Sequence, residues 1–250
     1  MCRLWHGDIW GEVSALKVRV KFAKLDSMKF IGHLDMMRYF QKAVRRAGLD
    51  VAYSGGYSPH MIMSFASPLG VGTTSSAEYF DMELQSVTSS KDMVERFNKT
   101  MADGCRVLSV RQIPDVKASK GMSLVAATDY YVSFREGLAP KGDWVTILKE
   151  FYEQTEIIVH KKTKRSEADV DIKPFVYQLD VKNDRIFIQV ASGSAYNLKP
   201  EPVIEALYRY MGEEMSEFAL EVHRQEVYAN IGDVDKRELV SLEALGEEIE

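Results

Sequence analysis

Apolar and charged residues alternate from the start of KVRVKFAKL (17–25). Val18, Val20 and Phe22 fall on one side of a period-two pattern and Lys17, Arg19 and Lys21 on the other, which predicts a half-buried strand with a cationic outer face. HLDMMRYFQKAVRRAGL then changes period. Leu34, Met37, Phe40, Val44 and Ala47 recur at helical spacing, Gly48 supplies a stop, and Arg38, Lys42 and Arg45 lie on the opposite side. MIMSFAS reads as a short strand and SAEYFDMEL as another. SSKDMVERFNKTMADG reads as a helix started by Ser89 or Ser90, striped by Met93, Val94 and Phe97, and ended by Gly104. CRVLSVRQIP alternates again and closes with a proline.

The order is β-α-β-β-α-β, the ferredoxin-like arrangement. After the spacer PDVKASKGMSL the order returns: TDYYVSF as strand, GDWVTILKEFYEQT as helix, EIIVHKK, KPFVYQLDV and NDRIFIQVAS as strands, PEPVIEALYRYMG as helix and FALEVHRQEVYA as a last strand. The second half thus repeats the pattern of the first with one additional hairpin strand. The expected fold is α+β, with two tandem ferredoxin-like domains over 17–114 and 126–230. An extension (1–16), a linker (115–125) and an acidic, partly ordered tail (231–250) complete the chain.

Composition narrows the chemistry. A hydrophobic content of 46% with 28% charged residues is that of a globular chain, and no run of eighteen apolar residues suggests a membrane span. The opening MCRLWHGDIWGEVSALK lacks the apolar core and cleavage site of a signal peptide. Two cysteines, Cys2 and Cys105, make a disulfide framework improbable and point to a reducing cytoplasm. They are also too few to ligate an iron–sulfur cluster, and five scattered histidines offer no zinc spacing, so no metal or cofactor is expected on this chain.

Net charge is −5, yet its distribution is uneven. Nine cations face three acids between Lys17 and Asp50, whereas two cations face seven acids from Val227 onward. A local cationic surface suits an anionic partner such as RNA; two solvated faces would look the same in sequence. The basic helix hands over to YSGGYSPHMIMSFASPLGVG (53–72), which contains no Lys, Arg, Asp or Glu. Gly55 and Gly56 free the backbone, Pro59 and Pro68 stiffen it, and Tyr53 and Tyr57 offer stacking surfaces for bases. A connector this long is functional or disordered more often than ordinary, although its aromatics would also serve a core.

Candidate RNA contacts are therefore Arg38, Lys42, Arg45, Tyr53, Tyr57, His60 and the second-half run Lys161, Lys162, Lys164 and Arg165. His33 and His60 are candidate acid–base groups for a metal-independent endoribonuclease, provided both reach one phosphate. Their structural alternatives are a helix start and a hydrogen-bonded loop. A third alternative is a protein–protein interaction module whose loop forms an apolar patch.

The stretch HLDMMRYFQKAVRRAGLDVAYSGGYSPHMIMSFASPLGVGTTSSAEYFDMEL closely resembles the signature of a bacterial family of radical-SAM-linked proteins of unknown function, encoded beside or fused behind a radical SAM enzyme. The resemblance runs from Lys17 to about Ala229 and includes KKTKRSEADVDIKP and GSAYNLKPEPVIEAL; the first sixteen residues lie outside it. It implies a radical SAM protein as partner, with the cluster and S-adenosylmethionine held by that partner. This chain would be an accessory or substrate-recognition subunit, and its charge pattern suits RNA or a ribonucleoprotein as the substrate.

Overall fold

The computed structural model describes residues 15–115, 120–162, 167–194, 196–233 and 236–250. The fold is mixed α+β, built on one mostly antiparallel nine-stranded sheet. The first half supplies β1 (Leu16–Lys24), α1 (His33–Arg46), β2 (Met63–Ala66), β3 (Thr74–Leu84), α2 (Ser90–Asn98) and β4 (Cys105–Gln112). A short helix, α3 (Gly121–Leu124), leads into β5 (Val125–Phe134), α4 (Trp144–Glu153), β6 (Ile158–Lys162) and β7 (Glu167–Asp171). The chain continues through β8 (Val176–Lys182), β9 (Arg185–Ala191), α5 (Pro200–Tyr210), β10 (Leu220–Asn230) and β11 (Leu239–Ser241).

Strand order across the sheet is β4-β1-β3-β10-β5-β9-β8, with β2 also on β3 and β11 also on β10, while β6 and β7 form a separate hairpin. The halves meet where β3 and β10 run parallel, over only two register pairs, His223 with Thr74 and Arg224 with Ser75. Gly121 of α3 donates its N–H to Asp81 Oδ2 at 2.7 Å, which seats the end of the expected linker on the first half.

One face of the sheet carries the helices. Val18, Val20 and Phe22 pack with Phe80, Met82 and Leu84 beneath Met36, Phe40, Ala43 and Val44 of α1 and Met93 and Phe97 of α2. The second half repeats this with Val132, Ile186 and Ile188 beneath Leu148 and Phe151 of α4 and Val203, Ile204 and Leu207 of α5. The buried stripe of α1 is rotated from the expected one: Leu34 is exposed and Met36 buried. Leu34 lies in the first turn, where nothing overhangs it, whereas Met36, Phe40, Ala43, Val44 and Ala47 keep the i, i+4, i+7, i+8, i+11 spacing of a core face. Ser89 caps α2 by accepting from Asp92 N at 3.2 Å, as its position predicted.

Two expectations are corrected on the opposite face. Residues 238–249 are not a tail. β11 pairs with β10, Glu247 and Gln112 exchange N–H···O bonds of 2.8 and 2.9 Å, and Ile249 N–H reaches Ser90 Oγ at 2.9 Å. Leu242 is fully buried with Ala66, Ala77, Tyr79, Val227 and Ala229. This strap covers the cationic face of β1, which is therefore not a solvent surface. Arg19 is 2% exposed, forks onto Asp81 at 2.7 and 3.0 Å and donates to Leu242 O at 3.1 Å. Lys21 bonds Glu226 and Glu243 at 2.7 and 2.9 Å, and Lys17 pairs with Glu83 and Asp115. Burial pulls the Lys21 ammonium down, but the two carboxylates outweigh it and hold it above its ordinary range. The acidic C-terminus and the cationic strand had cancelled each other inside the fold.

Candidate functional site

The uncharged connector after α1 divides into three parts. Its tip is tied by a Tyr53–Met61 bridge, by Ser54 N–H to His60 O at 2.9 Å and by the Ser54 hydroxyl beside His60 Nδ1 at 2.8 Å. These bonds turn Tyr53 and Tyr57 out to solvent. The middle enters the core: Met61, Phe65 and Ala66 are buried, and Phe65 packs against Phe80 with centroids 5.1 Å apart. The last part, Ser67 to Thr73, lies in a crease between the two helical layers. Gly72, at φ +92°, donates to Lys29 O at 2.8 Å, and a Cβ at Gly32, the residue before α1, would meet Val71 Cγ2 at 3.9 Å. The crease thus adjoins the start of α1, whose fourteen residues span about 21 Å.

The crease has a charged floor. Arg224 is 2% exposed; its guanidinium pairs with Glu78 from β3 and donates to Ser67 Oγ at 3.3 Å. Lys24, also buried, donates to Ile31 O at 2.8 Å, and burial pulls its ammonium below the ordinary lysine range. Two adjoining cavities open above this floor. A small one of about 110 Å³ is enclosed by Ser67–Val71, Tyr130, Asn197, Lys199, Glu201 and Arg224. A wider one of about 720 Å³ runs past Val71, Arg135, Arg209 and Phe218. Phe30, Leu34, Val71 and Phe218 are exposed apolar side chains, Val71 and Phe218 in the wide cavity and Phe30 and Leu34 on either side of Gly32.

Lys24, Glu78 and Arg224 were not singled out from sequence, although a signal was present. Each continues an apolar register: Lys24 after Val18, Val20 and Phe22; Glu78 before Phe80, Met82 and Leu84; Arg224 after Leu220 and Val222. A lone charge in an inward-facing strand register is buried with a partner or not at all.

Of the expected RNA contacts, Arg38, Lys42 and Arg45 are exposed on α1. Arg38 meets Asp35 at 3.2 Å in an open pair, and neither Lys42 nor Arg45 has a carboxylate partner among the described residues. Lys161 and Lys162 end β6, while Lys164 and Arg165 lie outside the described residues. The two histidines are not brought together. His33 packs edge-on against Phe65 at 5.4 Å and lines a recess with Lys24, Leu69 and Glu78. His60 lines a different cavity with Lys17, Met63 and Lys120, and the two recesses share no residue. Among the described residues no group of three His, Cys, Asp or Glu side chains is placed to hold a metal, and no helix is long and apolar enough to cross a membrane.

Residues 17–200 match the profile of a family described as an uncharacterized protein conserved in bacteria (DUF2344). No curated protein matches the chain. Among solved structures, a chain of a Cbf5-Nop10-Gar1 complex is similar at 13% identity and TM-score 0.43, covering 83% of this chain and 48% of that one, so this chain spans about half its length. An unknown protein from Galdieria sulphuraria is similar at 12% identity and TM-score 0.27, covering 84% and 98%.

Proposed function

This chain belongs to the DUF2344 family of uncharacterized bacterial proteins, and we propose that it is a non-catalytic recognition protein that holds RNA along α1, between the Tyr53–Tyr57 tip and the crease. The observation that carries the reading is selective neutralisation. The fold pairs every described cation of the β1 face with a carboxylate, yet among the described residues Lys42 and Arg45 have no carboxylate partner and Arg38 is only loosely paired, on the helix that leads into the connector with the exposed tyrosines. A row of unpaired cations suits phosphates, and exposed aromatic rings suit unstacked bases. The segments that carry the family resemblance support the same location, since His33, Ser67–Val71, Asn197, Lys199 and Pro200 line adjoining recesses. The partner we assign is the radical SAM enzyme that the resemblance implies, with the cluster and S-adenosylmethionine on that enzyme. We read each half as a ferredoxin-like unit, a reading supported by the matching orders β4-β1-β3-β2 and β10-β5-β9-β8.

The test is a salt-dependent titration of labelled single-stranded RNA. With three phosphate contacts from Arg38, Lys42 and Arg45, the log–log slope should lie near about −2. R38E/K42E/R45E should abolish that component, and absence of binding by the wild-type protein refutes the RNA reading. A second reading is favoured by the exposed Phe30, Leu34, Val71 and Phe218, which suit a protein partner docked at the crease. It predicts capture of the radical SAM enzyme that survives high salt and is lost in F30S/F218S.

A further inference from the structure

The C-terminal strap lies on the helix-free face over β1, β3 and β10, and its Arg237 reaches β8. On the second half the same face has an unusual composition. Strand alternation turns Asp129 and Tyr131 of β5, Arg185, Phe187 and Gln189 of β9, and Asp180 and Lys182 of β8 away from the core that holds Tyr130, Val132, Ile186, Ile188 and Leu179. Tyr131 and Phe187 are direct register partners on neighbouring strands, with centroids 5.4 Å apart. Each ring is covered by a cation: Arg185 Cζ lies 4.2 Å from the Tyr131 centroid and Lys182 Nζ 3.5 Å from that of Phe187. At the margin Arg237 Cζ stands 3.7 Å over Tyr177 of β8.

Asp129 and Asp180, the acids on β5 and β8 beside these rings, are engaged within the sheet. Asp129 accepts from Gln189 Nε2 and from the Tyr228 hydroxyl, both at 2.8 Å, and Asp180 accepts from Val181 N–H at 2.8 Å. Lys182, Arg185 and Arg237, by contrast, have no carboxylate within ion-pair distance among the described residues. Lys182 nevertheless lies near enough to Asp129 to favour its carboxylate, so the face presents Arg185 and Arg237 without an ion pair among the described residues and Lys182 only loosely balanced, all three resting on flat rings. Tyr131 is half-buried and Phe187 is buried beneath its cation; a cation resting on a ring at the surface is weakly held and can exchange with a base, moving to the adjoining phosphate as it leaves.

We infer that this face is a second nucleic-acid surface, on which a single-stranded segment stacks one base on Tyr131 and a neighbour over Phe187 while Lys182, Arg185 and Arg237 hold its phosphates. The inference rests on the RNA reading and extends it to the other side of the molecule. It requires unpaired bases, because a duplex offers no free ring face at this depth.

The experiment titrates the full chain with fluorescein-labelled oligouridine of about 12 nucleotides, at roughly 50 and 200 mM salt. Tyr131→Ala should weaken binding roughly 5- to 150-fold, and Tyr131→Trp should retain it. K182A/R185A should reduce the salt slope by about 1.4. Thermal melts confirm that the variants fold, and Arg185→Glu repeats the test while leaving both rings in place. Wild-type affinity and slope in all of these variants, alongside loss of binding in R38E/K42E/R45E, overturn this surface and leave the α1 track standing. Loss in Tyr131→Ala with full binding by R38E/K42E/R45E supports this surface and removes the α1 track. Equal competition by duplex RNA overturns the stacking, and no binding by the wild-type chain overturns both sites.

Discussion

Glu78→Ala is the most informative single change, because it strands a guanidinium beneath the crease. Arg224 is 2% exposed, and its carboxylate partner comes from the other half of the molecule across a seam of only two register pairs. Removing one member of a buried pair costs about 3–5 kcal/mol, since the remaining charge keeps its desolvation penalty and loses its compensation. Ser67 Oγ at 3.3 Å is a poor substitute. For 250 residues the unfolding entropy is about 0.5 kcal/mol per degree, so the melting temperature should fall by about 6–10 °C. The control is E78L/R224M, which replaces both charges with apolar side chains of similar reach and should recover most of the loss. Calorimetry measures both and reports whether the two halves still melt together. A drop below about 2 °C for Glu78→Ala would refute the reasoning. So would a double variant as unstable as the single one.

Three further outcomes follow from the same structure. Leu242→Ala opens a void under the strap and should cost about 2–5 kcal/mol in a urea titration, whereas a dispensable tail would give no change. His223 bonds Thr74 Oγ1 at 2.9 Å and Ser76 Oγ at 3.0 Å on the seam; burial, then the nearby Arg185 charge, lowers its pKa. The folded state therefore disfavours its protonation, and the stability this contributes is present above about pH 6.5 and lost as pH falls toward the folded value. His223→Gln should flatten that limb of the profile; an unchanged slope between about pH 7 and 5 would exclude the histidine as its origin. Gly104 sits at φ +80°, where an added Cβ would lie 2.7 Å from Leu25 O. An unstrained Gly-to-Ala exchange would add up to about 1 kcal/mol of stability; Gly104→Ala should instead destabilise by more than that amount, measured by thermal melting.

The sequence by itself determined the elements and their order. Period-two runs such as Val18–Val20–Phe22 can bury one side only as strands, and α1 and α2 carry stripes and caps that leave little choice. It also marked the α1 cations, which lie on a face too polar to bury. Tertiary structure decided where every other charge went. Lys17, Arg19 and Lys21 spell an exposed basic face in one dimension, but acids about 60 to 220 residues distant and the strap over Leu242 neutralise them. Lys24, Glu78 and Arg224 broke apolar registers visibly, yet their pairing needed β3 and β10 to become neighbours. The physical reason is range: backbone periodicity is set by residues within a turn or a strand, whereas a buried charge is stabilised only by whichever opposite charge the fold brings within a few ångströms.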